Sequence, residues 1–237
     1  MANCECAQTK GMPRRGFLGA AALAALACAT PGRAAQPPLP NNRIGGDAAL
    51  ARLMEGNARF AAGRMRTRDV VRGRQALAGG QRPFAAILGC ADSRVAPELA
   101  FDQGLGDLFV VRVAGNFAHD DAVASMEYAA KFLGVPLIMV MGHTGCGAVA
   151  AALSVVKENA VLPGHLPGLV ESIRPAAQGA VRRGAPNLLE VATSENVRHA
   201  VARLATSAPI LGPMHERAEV KVVGAVYNLQ TGRIELV

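Results

Sequence analysis

The chain has 237 residues, enough for one sizeable domain and too few for two ordinary ones. Hydrophobic types make up 51% and charged types 18%, which excludes an intrinsically disordered chain. The formal net charge is +7 and there are five cysteines, an odd number that excludes a fully paired disulfide framework within the chain.

In chain order, the first feature is Arg14-Arg15-Gly16-Phe17-Leu18, a twin arginine leading into an apolar stretch. Small residues follow at Thr30, Pro31, Gly32, Ala34 and Ala35. That order reads as an export signal of the twin-arginine type over residues 1–35, so the protein is expected to be periplasmic or otherwise exported. The apolar stretch is shorter than a bilayer span, and no stable membrane anchor is expected. Without residues 1–35, twenty-one Lys and Arg face seventeen Asp and Glu, a net +4. Cys4, Cys6 and Cys28 leave with the leader, and only Cys90 and Cys146 remain.

Residues 36–46 are a Pro- and Asn-rich linker, and 47–237 are expected to form a single domain. From Asp47 to Gly63 the pattern is helical, with Leu50, Leu53 and Met54 on one face and Asp47 as N-cap. A polar, Arg-rich connector runs on to Gln81. Short apolar runs with the character of buried strands follow at 84–89, 108–113, 135–141 and 220–227. Helical patterns at 120–133, 146–157 and 195–204 alternate with them. Residues 157–190 carry four prolines and read as a loop with one short helix. A turn at Gln230-Thr231-Gly232 precedes a last strand, 233–237, expected to pair antiparallel. The fold class is therefore α/β: a central, mostly parallel sheet of four strands plus an antiparallel edge strand, flanked by helices.

Two of these strands run straight into chemically rich segments. The first leads into Cys90-Ala91-Asp92-Ser93-Arg94, the third into Gly142-His143-Thr144-Gly145-Cys146-Gly147. In a parallel sheet both segments emerge at the carboxyl edge, where such folds place ligands. Cys90, Asp92, His143 and Cys146 can therefore converge, and two thiolates with an imidazole suit zinc. Asp92 as fourth ligand gives a closed site; leaving that position to water gives a catalytic one. Arg94 favours the second, because a carboxylate held bidentately competes less well for metal. A disulfide between the two cysteines and a purely structural zinc are the competing readings.

Together with Gly106-Asp107-Leu108-Phe109-Val110, Ala114-Gly115-Asn116 and Glu127-Tyr128-Ala129, the two segments resemble the β-class carbonic anhydrases over nearly all of residues 47–237. The resemblance implies reversible hydration of carbon dioxide to bicarbonate and a proton. It implies one zinc ion per subunit held by Cys90, His143 and Cys146, with Asp92 and Arg94 as catalytic dyad. It further implies a homodimer or dimer of dimers, with the N-terminal helix packed on the neighbouring subunit. Gln81 matches a glutamine that helps bind bicarbonate across the dimer interface. The allosterically regulated subgroup has a Trp three residues before the first Cys; here that position is Ile87, so the open arrangement is expected at neutral pH. Arg112 and Tyr227 occupy places that take part in such regulation. Two other activities remain to be separated from hydration: hydrolysis of a carbon dioxide analogue such as carbonyl sulfide or carbon disulfide, and non-catalytic zinc binding.

The remaining motifs have blander readings. His119, His165, His199 and His215 lack a ligand-like setting; His119, beside Asp120 and Asp121, reads as a helix start. Gly104-Leu105-Gly106 lies ahead of a strand and reads as a turn. The arginines from Arg64 to Arg74 have no interleaved aromatics, so nucleic acid is not expected as a partner. There is no G-x-S-x-G elbow for a serine hydrolase.

Overall fold

The apolar runs become a five-stranded sheet in a computed structural model that describes residues 42–184 and 186–237. Residues 1–41, which carry the expected export signal and most of the expected linker, lie outside the described residues. Strands β1 (Ala85–Gly89), β2 (Leu108–Arg112), β3 (Leu137–His143), β4 (Lys221–Tyr227) and β5 (Ile234–Leu236) lie in the order β2-β1-β3-β4-β5. The first four are parallel, and β5 pairs antiparallel on β4.

Every residue of β1 and β3 is buried, which explains their unbroken apolar character: both faces of the sheet are covered. On one face Ala86, Leu88, Ile138 and Val140 pack with α4 (Asp120–Lys131) and α8 (Leu188–Ala205). On the other, Ile87, Met139 and Met141 pack with Leu53 of α1 (Gly46–Ala61) and with Phe84 and Phe101. Helix α8 sits hard against the sheet at two glycines. A Cβ on Gly142 or on Gly224 would come within 2.7 Å of a Val197 methyl, so neither strand tolerates a side chain there.

Several expectations shift. Helix α1 is capped at Gly45, not Asp47. Asp47 lies in the first turn, where its charge faces the positive end of the helix and pairs with Lys221 at 2.5 Å. The Arg-rich connector contains a helix, α2 (Val70–Leu77). The 157–190 segment is not a loop with one helix: α5 (Gly147–Glu158) is followed by α6 (Leu166–Glu171) and α7 (Arg174–Arg182). Pro167 and Pro175 stand in the first turns of α6 and α7, where a missing N–H costs nothing. Short helices α3 (Pro97–Ala100) and α9 (Leu211–Glu216) had no counterpart in the periodicity.

The Arg-rich segment is tied down by one carboxylate. Asp102, fully buried, accepts from Arg59 Nε at 2.5 Å, Arg68 Nη1 at 2.5 Å and the Arg66 amide at 3.2 Å. Burial pushes its carboxyl up, but Arg68 and Arg59 outweigh that and hold it below the ordinary carboxylate range. No helix among the described residues is long and apolar enough to cross a membrane.

Candidate active site

The parallel register brings the two rich segments side by side. β1 and β3 are direct neighbours, with Gly89 opposite Met141, so the chain leaves both strands at the same edge. Cys90 follows β1, His143 is the last residue of β3, and Cys146 stands at the N-cap position of α5. All three are buried, and their ligand atoms lie within 4.8 Å of one another. The thiols are free, with Sγ atoms 4.0 Å apart. That is too long for a disulfide, and close to the roughly 3.8 Å that two sulfurs span on one tetrahedral zinc with bonds of about 2.3 Å.

The imidazole is oriented for the same purpose. His143 Nδ1 lies 2.9 Å from the Thr144 carbonyl oxygen, which can only accept, so Nδ1 carries the proton. Nε2 is then a bare lone pair, buried and without a hydrogen-bond partner among the described residues. A buried acceptor left orphaned between two thiols is expensive unless a cation takes it. Donor chemistry, sulfur separation and this orphaned nitrogen all fit zinc.

The metal-free electrostatics are those of a cation site. The hydrogen bond from Cys146 lowers the Cys90 thiol well below the ordinary thiol range, against burial and with help from His143 and the Gly115 amide. The same contact, together with burial, pushes Cys146 up, so the pair shares one proton. Burial works against a charged His143, but Cys90, the Thr144 carbonyl and Asp92 outweigh it and raise its pKa.

Asp92 lies on the solvent side of the three donors, its Oδ2 3.7 Å from His143 Nε2. Arg94 grips it at three points: the amide and Nε on Oδ1, both at 2.9 Å, and Nη2 on Oδ2 at 2.7 Å. This grip holds the Asp92 carboxyl far below its ordinary range despite partial burial. Arg112 has a role the sequence did not disclose. Its guanidinium donates to the carbonyls of Cys90 at 2.9 Å and Asp92 at 2.6 Å, so it braces the backbone of the loop. Tyr227 is buried at the end of β4, opposite His143, with its hydroxyl pKa raised by burial. Ile87 is fully buried in the sheet.

Gln81 is not gathered into this cluster. It is exposed and precedes β1, whereas Cys90 follows it, so the two stand at opposite ends of the strand. The other histidines also stay away. His119 is the N-cap of α4, its Nδ1 accepting from the Ala122 amide, and His215 Nδ1 contacts the Val220 carbonyl. A groove of about 630 Å³ runs beside Thr144 and Gly145, walled by Leu188, Thr193, Val226 and Leu236. Cys90, Asp92 and Arg94 do not line it, so it is not the mouth of this site.

A parallel α/β sheet with a Cys-His-Cys donor set and a guanidinium-held carboxylate at its carboxyl edge defines a metal-site protein of a recognisable class. The family model described as "Carbonic anhydrase" matches residues 85–234. Carbonic anhydrase 2 of Mycobacterium tuberculosis is 42% identical over 190 residues, covering 80% of this chain and 91% of that protein. The carbonic anhydrase of Mycolicibacterium smegmatis is 40% identical over 190 residues, covering 80% and 92%. Among solved structures, the β-carbonic anhydrase CcaA superposes with a TM-score of 0.61 at 28% identity, over 79% of this chain and 94% of that one. A Coccomyxa β-carbonic anhydrase in complex with acetazolamide gives 0.63 at 27% identity, over 79% and 86%. The chain belongs to the carbonic anhydrase family, in its β class.

Proposed function

We propose that Cys90, His143 and Cys146 hold the zinc ion with which this carbonic anhydrase converts carbon dioxide to bicarbonate and a proton, and that Asp92 and Arg94 form its catalytic dyad. The observation that carries the assignment is the orphaned, buried His143 Nε2 facing two free thiols. When bound, zinc supplies a Lewis acid that lets water yield a proton near neutral pH.

The chain's own residues do the rest. Thr144 fixes the imidazole tautomer. Arg94 bonds both Asp92 oxygens, twice on Oδ1 and once on Oδ2, which keeps the carboxylate ionised and leaves Oδ2 free to accept one more hydrogen bond. Held there, Asp92 accepts from the attacking water and aligns it with the carbon of the substrate. Arg112 keeps the loop from drifting. The wall behind the donors is apolar, built from Val149, Ile173 and Ala177 with Phe117 and Ala148 packed on it. Such a wall excludes water from the sulfurs and suits a non-polar substrate.

Gln81 supports a second proposal: in a homodimer or dimer of dimers it serves the neighbouring subunit's site. Its distance from its own Cys90, at the far end of β1, and the edge position of β2 in the sheet of the described residues both favour this reading. The twin-arginine motif of residues 1–35 supports export to the periplasm, a route that carries folded proteins and lets zinc cap both thiolates before they meet oxidant. Stopped-flow hydration of zinc-loaded and chelated protein tests the main reading. A rate that follows zinc content is expected. Equal rates with and without zinc refute it, and turnover of carbonyl sulfide or carbon disulfide in place of carbon dioxide redirects it to the analogue hydrolase.

A further inference from the structure

The sulfur of Cys90 receives a backbone hydrogen bond from a distant loop. The Gly115 amide donates to Cys90 Sγ at 3.3 Å. Gly115 sits at φ +82°, a conformation natural to glycine, on the turn that leaves β2. The turn is anchored on its β1 side by Ala91 N–H to the Val113 carbonyl at 3.2 Å and Val113 N–H to the Gly89 carbonyl at 3.1 Å. On its other side there is no slack: a Cβ on Gly115 would lie 2.4 Å from Ile173 Cδ1 and 3.2 Å from Ala148 Cβ.

One side chain holds the Gly115 carbonyl. Asn196 Nδ2 donates to it at 2.7 Å, across 81 residues of sequence. Asn196 is 2% exposed and lies inside α8, the helix pressed on the sheet through Val197. An asparagine is a poor helix former, and a buried amide is costly unless bonded. The bond it makes is to the residue whose own N–H reaches the sulfur.

We propose that Asn196 is a positioning residue for the metal centre: by holding the carbonyl of the Gly115–Asn116 peptide it fixes the backbone of Gly115, so that the Gly115 N–H, on the preceding peptide, stays on the Cys90 sulfur. That bond withdraws electron density from the thiolate and turns its remaining lone pairs toward the space it shares with His143 Nε2 and Cys146 Sγ. The proposal rests on Cys90 being a metal ligand, and the test separates the two ideas.

Cobalt(II) in place of zinc gives a thiolate-to-metal absorption band. A wild-type protein without that band refutes the ligand set itself, and the positioning role with it. Given the band, Asn196→Asp keeps the shape and loses the donor, and Asn196→Ala removes the side chain altogether. In both, the band is expected to move to longer wavelength, and zinc is expected to pass to a chelator about 10-fold faster or more. Asn196→Gln, which keeps an amide on a longer arm, should fall closer to wild type than Asn196→Asp. Thr193→Val, equally buried on the same helix and with no hydrogen-bond partner for its hydroxyl among the described residues, should leave the band in place. Folded Asn196 variants with an unmoved band overturn the proposal, even if zinc leaves faster. An equal shift in Thr193→Val overturns it too.

Discussion

Asp92 and Asp102 stand on either side of α3, and each is a carboxylate held by guanidinium groups; they differ in what the pairing leaves over. Asp102 is fully buried, and Arg59, Arg66 and Arg68 enclose it from the connector and from α1. Its partners come from more than thirty residues away, so the pair stitches distant chain together. Asp92 is paired locally with Arg94, two residues on, and its side chain remains 17% exposed. It stitches nothing, and its Oδ2 faces a bare imidazole nitrogen. The same two charges make a structural joint where every face is closed, and a reactive group where one face stays open beside a donor set.

The largest effect should come from the donors that Asp92 faces. Cys90→Ala, His143→Ala or Cys146→Ala is expected to reduce bound zinc to background in metal analysis and to abolish hydration. Asp92→Asn comes next: zinc is retained, and turnover falls about 10²- to 10⁴-fold, the usual contribution of a group that handles a proton in the transition state. If Asp92→Asn turns over like wild type, the contrast between the two aspartates collapses.

Asp102→Ala sharpens the contrast from the other side. It should cost about 3 kcal/mol in denaturant unfolding, the low end for breaking a buried ion pair, because both guanidiniums reach solvent once released. Activity per bound zinc should be unchanged. The pH dependence carries the same signature. The folded pKa of Asp102 lies below its unfolded value, so its contribution is present above about pH 4 and is lost as pH falls through the folded pKa. Unfolding midpoints measured from about pH 6 to about pH 3 should therefore fall more steeply for wild type than for Asp102→Ala. The smallest effect is expected at the exposed Arg217–Glu219 pair, where Arg217→Gln should leave the thermal midpoint unmoved.

The strands were legible because β1 and β3 are covered on both faces and must be apolar throughout. The donors were legible because a strand end fixes where a side chain emerges: Cys90 and His143 needed only neighbouring parallel strands to meet. Helices α6 and α7 were not, since Pro167 and Pro175 signal a break in a linear pattern and a helix start in three dimensions. Helix α2 is polar on average and only eight residues long, too short for its periodicity to stand out in the Arg-rich connector. The contacts of Asn196 and Arg112 were hidden for a different reason. Each acts on backbone groups far away in sequence, and no residue pattern records which carbonyl a side chain will find.

The central claim is that Cys90, His143 and Cys146 are the zinc ligands and Asp92 is not. X-ray absorption at the zinc edge, on the loaded protein near neutral pH, tests it most directly. The account predicts two sulfur neighbours and two lighter ones in wild type, unchanged in Asp92→Asn, with one sulfur lost in Cys146→Ala if any zinc is retained. A zinc shell without sulfur, or one that loses a light neighbour in Asp92→Asn, would contradict it.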